Sequence, residues 1–79
     1  MLELTVIDVS SDKPEPLYAR QFTTHPRIGE WIDINIDEES TMFEVVKVAH
    51  STNGGDSDLY VKRLGLAFEV VLDLCNKND

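Results

Sequence analysis

The stretch WIDINID, from Trp31 to Asp37, constrains this chain more than any other. Ile32, Ile34 and Ile36 fall on one side of an extended backbone, while Trp31, Asp33, Asn35 and Asp37 fall on the other. Strict two-residue alternation of this kind describes a strand with one buried and one solvated face, the habit of antiparallel sheets. A helix would scatter the three isoleucines around its axis.

The neighbouring segments extend the pattern. LELTVIDV, from Leu2 to Val9, is β-branched and alternating, and it predicts a first strand. The following SSDKPEP contains two prolines, which cannot donate to a β-ladder, so it reads as a loop. LYARQF, from Leu17 to Phe22, predicts a second strand paired with the first as a hairpin. In TTHPRIG, Pro26 holds His25 extended and Gly29 supplies conformations closed to other residues, which turns the chain before Glu30.

Asp37, Glu38, Glu39 and Ser40 form a polar connection of hairpin length, and MFEVVKVAH, from Met42 to His50, predicts the partner strand. Its alternation slips at the adjacent Val45 and Val46, which either a β-bulge or cover on both faces accounts for, the bulge being preferred. STNGGDSD, from Ser51 to Asp58, is loop-forming, and LYVKRL, from Leu59 to Leu64, predicts another strand. The tail LGLAFEVVLDLCNKND reads two ways. As a strand it turns Phe68, Val70, Leu72 and Leu74 inward, and as a helix it lines Glu69, Asp73 and Lys77 along one solvated stripe. Val70 and Val71 favour the strand.

A chain of 79 residues has room for one domain, spanning residues 1–79. The expected fold is all-β, or β with a short C-terminal helix, as a small antiparallel barrel or curled sheet of five or six strands. Ile32, Ile34, Ile36, Val48 and Val61 are its expected core. So small a core makes homodimerisation a natural further source of stability. A net charge of −8 opposes undirected attraction to nucleic acid or an anionic membrane and suits a basic protein surface. The single cysteine, Cys75, and a start without a basic or long apolar segment predict a cytoplasmic protein.

Reactive constellations are thin. His25, His50 and Cys75 lack the local spacing of metal ligands, so no metal or other cofactor is expected. Cys75 lies in an apolar run without a catalytic turn around it, and Asp33 and Asp37 lie on a solvated face where little would raise a carboxyl pKa. The NGGDSD loop has the glycines of a phosphate cradle, but its aspartates repel an anion. The spacing of Asn53, Asp56 and Asp58 also lacks the full ligand set of a calcium loop. No enzyme is expected.

Two binding surfaces remain. The first is an acidic β-sheet face made of Trp31, Asp33, Asp37, Glu38 and Glu39, in which an aromatic flanked by carboxylates anchors a cationic partner. The second is a cationic pocket for a small molecule or nucleotide, formed by Arg20, Arg27, Tyr60, Lys62 and Arg63, with Tyr18 nearby. It requires the second and last strands to be adjacent.

From His25 to Gly65, the strings HPRIGEWIDINID, MFEVVKVAH and DLYVKRLG resemble small bacterial and phage-associated proteins built as SH3-like partial barrels. Pro26, Gly29, His50 and Gly65 carry the resemblance, which covers about half of the chain. Such barrels act as adaptors, as connectors in phage particles and as inhibitors of host defence proteins. The resemblance therefore implies a non-catalytic interaction module, in its sharpest form a phage-type inhibitor occupying a nucleic-acid-binding groove of a host protein.

Overall fold

A computed structural model describes residues 2–52 and 57–77. The chain forms β1 (Leu2–Asp8), β2 (Glu15–Phe22), β3 (Trp31–Ile36), β4 (Glu39–Ala49), β5 (Asp58–Leu66) and α1 (Ala67–Lys77). The five strands make one sheet in the order β2-β1-β5-β4-β3, curled into a half-barrel with the short helix at its C-terminus.

Alternation works as the sequence predicts. Leu4 and Val6 of β1, Leu59 and Val61 of β5, Phe43 and Val45 of β4, and Ile32 and Ile34 of β3 are buried on one face. Register aligns them into rows, Val6 beside Leu59, Val61 beside Val45 and Phe43 beside Ile32. Of the expected core, Ile32, Ile34 and Val61 are buried, while Ile36 and Val48 pack against the rim with Leu17 and Phe22. The slip in β4 is a bulge: register shifts between Val45 and Lys47, so that Val45 and Val48 oppose Val61 and Leu59 on the core face. Gly29 has φ +93, and its N–H donates to the Val45 carbonyl at 2.8 Å, which fixes the turn into β3.

Three expectations are corrected. The sheet is not purely antiparallel, because β5 returns from β4 to lie parallel to β1. That pairing joins distant segments and leaves no local signature. The hairpin connection shrinks to Asp37 and Glu38, and Glu39 and Ser40 already belong to β4, paired with Ile36 and Asn35. The tail is a helix rather than a strand. Gly65, at φ +140, is the next-to-last residue of β5, and a side chain there would meet Val70 Cγ2 at 3.6 Å, so α1 folds back over the glycine. The loop residues Asn53 to Asp56 lie outside the described residues, and Asp58 opens β5.

Candidate interaction surface

The acidic set lies on the β3–β4 hairpin but not on one face. Trp31 and Asp33 share the outer face, out of phase with the isoleucines. Asp37 and Glu38 form the tip, and Glu39 stands opposite Ile36 on the core-face parity at the rim. The Asp33 carboxylate accepts from the Ser40 hydroxyl at 2.8 and 3.0 Å, a diagonal contact that orients it along the outer face. Asp37 and Glu38 both have positive φ, 51° and 68°, the signature of a tight type I′ hairpin turn, here built without glycine or asparagine.

Trp31 is 41% exposed and forms a wall between two clefts. One, of about 260 Å³, is lined by Trp31, Leu64, Val70, Asp73 and Leu74. The other, of about 400 Å³, runs from Trp31 past Glu30 to Pro26 and Phe22. Helix α1 therefore borders the indole without covering it. Leu64 reaches this site because β5 carries an extra residue between Arg63 and Gly65, the partners of Phe43 and Met42.

The helix is the part of the surface that sequence reasoning undervalued. Phe68 is 64% exposed, Leu72 56% and Val71 46%, and Cys75 is an exposed free thiol. These four stand at i, i+3, i+4 and i+7, a single apolar stripe turned away from Val70, the residue that sits on the sheet. The spacing was present in the tail, but reading it as a strand hid it.

Charge is distributed unevenly over these elements. The hairpin with its lead-in, Ile28–Ala49, holds six carboxylates and Lys47, and α1, Ala67–Lys77, holds two carboxylates and Lys77. Together they carry eight of the chain's fifteen acidic residues and two of its seven basic ones.

The structure does not bring the cationic set together. Strand β1 lies between β2 and β5, so the required adjacency fails. Arg20 stands opposite Leu4 on the core face, where its Nε donates to the Leu17 carbonyl at 3.0 Å. Tyr60 and Lys62 occupy the other face of β5, out of phase with Leu59 and Val61. Arg63 is exposed, its backbone N–H donating to Ser10 Oγ at 2.7 Å. Arg27 lies in the turn before β3, where its N–H donates to Glu30 Oε1 at 2.6 Å. Tyr18, 73% exposed with φ 63°, sits where β2 slips out of register with β1.

One cluster had no sequence signal. His25 and His50, from two different loops, stack with ring centroids 5.7 Å apart. His50 Nδ1 lies 3.0 Å from the Oγ of the buried Ser57, and His25 Nδ1 lies 2.8 Å from the Pro26 carbonyl. With a carbonyl as its neighbour, His25 Nδ1 is the donor. Nε2 is then a buried acceptor that finds no hydrogen-bond partner among the described residues. The cluster ties the loop before β3 to the loop before β5. Among the described residues, no group of three or more His, Cys, Asp or Glu side chains is placed to hold a metal, and no helix is long and apolar enough to cross a membrane.

Comparison with protein families finds no matching model, and comparisons with curated proteins and with solved structures find no match.

Proposed function

We propose that this chain is a non-catalytic protein-interaction module that engages a basic protein surface through the β3–β4 hairpin and the helix beside it. The carrying observation is the excess of acid: eight carboxylates against two lysines on the two elements that also expose Trp31 and the apolar stripe. Such a surface attracts a basic partner over a distance set by ionic strength, and its desolvated centre supplies contact area. Trp31 is the anchor, an indole open to a cationic side chain, with Asp73 in one adjoining cleft and Glu30 in the other. The resemblance to SH3-like partial barrels supports the same class, and a nucleic-acid-binding groove is the kind of basic surface such an acidic ridge would occupy.

The test replaces Asp33 and Asp37 together by Asn. The change keeps shape, leaves an oxygen to accept from Ser40, and removes two charges. Folding stability should move by less than about 0.5 kcal/mol. A basic protein captured from the native host should associate more slowly with the variant, with a flatter salt dependence. Equal binding by parent and variant at both low and physiological ionic strength refutes the reading.

A further inference from the structure

We infer that the occupant of the free face of α1 is an amphipathic helix of a partner protein, with an apolar stripe bordered by Arg or Lys. The inference rests on the reading of this surface as a site for a basic partner, and it adds the form the partner takes.

The argument begins with a helix that has two apolar sides. Val70 packs over Gly65, and Leu74 lines the cleft with Trp31 and Leu64, so one side is seated on the sheet. Phe68, Val71, Leu72 and Cys75 form the other side and stand exposed among the described residues. With Leu74, Trp31 and Leu64, which are 46%, 41% and 40% exposed, they leave on the order of 500 Å² of apolar surface open, the upper end for a monomer. That is about two-thirds of the ~800 Å² per partner of a standard interface. It matches one helix lying alongside another better than the docking of a whole domain.

The stripe is straight and about 10 Å long, at 1.5 Å per residue from position 68 to 75, and it has the i, i+3, i+4, i+7 form that receives a second helix. Charge then selects the partner. Glu69 and Asp73 run along one flank of α1, ahead of Lys77 at its last position, and Glu39 lines the cleft that Phe68 borders. A second copy of the chain would bring an identical acidic rim and a charge of −8 against these groups. A basic-rimmed helix meets opposite charges along the same rim.

The test uses three synthetic peptides of about 18 residues without tryptophan, long enough to form a helix. One has a Leu stripe bordered by Arg, one has the same stripe bordered by Glu, and one has the Arg composition in shuffled order. Trp31 is the sole tryptophan, so its emission reports binding, and sedimentation reports the size of the complex. The Arg-bordered peptide should bind saturably to one chain, and Leu72→Ser, at an outward position, should weaken it about tenfold, the loss expected for a central interface side chain. Val71→Ser should weaken it in the same direction. If the shuffled Arg peptide binds equally, the helical occupant is wrong while the basic-partner reading stands. If the Glu-bordered peptide binds equally, both are wrong. Binding unaffected by Leu72→Ser and Val71→Ser overturns the inference. So does a parent chain that ignores the peptides and sediments as a dimer that Leu72→Ser dissolves, because a second copy then covers the stripe.

Discussion

Glu38 holds φ at 68° in a two-residue turn, where an L-residue loses roughly 1–2 kcal/mol relative to glycine because Cβ crowds the following carbonyl. Glycine at this position removes the clash but adds about 0.5–1 kcal/mol of backbone entropy to the unfolded chain. The balance favours Glu38→Gly over Glu38→Ala by about 0.5–1 kcal/mol. The comparison with alanine is the informative one, since both substitutions remove the same charge and differ only in Cβ. Equilibrium urea unfolding followed by Trp31 emission should give equal slopes and a later midpoint for the glycine variant. For a domain of this size the difference corresponds to about 2–8 °C in thermal midpoint. An alanine variant as stable as the glycine variant, or more stable, would show that the tip does not hold Glu38 in the left-handed region.

Ile34 is 4% exposed on the core face of the edge strand β3, and Ile34→Ala should cost about 2–4 kcal/mol in urea unfolding; a loss below about 1 kcal/mol would contradict its place in the core. His50→Ala strips the buried Ser57 hydroxyl of its partner and removes the stack on His25, so it should cost about 1–2 kcal/mol, and Ser57→Ala made in that background should add almost nothing further. Additive losses from the two substitutions would mean that the hydroxyl and the imidazole do not act together.

What the sequence discloses is whatever a short window contains. The isoleucines of β3 state their face by alternation alone, and the adjacent Val45 and Val46 disclose a bulge because a continuing strand has no other way to return Val48 to the core. Pairings between distant segments carry no such mark. Nothing in LELTVIDV or LYVKRL says that β1 and β5 run side by side, and the cationic pocket failed on that point, since β1 takes the place beside β5 that the pocket needed for β2. The tail failed for a different reason. Val70 and Val71 bias the backbone weakly toward a strand, but the positive φ of Gly65 and the seat it offers Val70 are tertiary terms, and they outweigh propensity. His25, His50 and Ser57 come together from separate loops, so their contact exists only after the sheet has closed.

Departures from local rules are concentrated on one part of the molecule. The tip of the β3–β4 hairpin keeps Asp37 and Glu38 where Asn-Gly would relieve strain, α1 exposes Phe68 and Leu72 where polar residues would keep a monomer soluble, and the two elements carry eight carboxylates against two lysines. Each departure costs stability or solubility, and each has a local remedy of one or two substitutions. Elsewhere the left-handed Tyr18 falls at a register slip between β1 and β2, which supplies a local reason for it. The hairpin tip and the helix have no such local reason within the monomer. Costs that recur on adjoining elements and share no structural cause are expected where a surface serves a partner. On this reasoning, a chain carrying Asp37→Asn with Glu38→Gly folds more firmly and binds a basic partner less well.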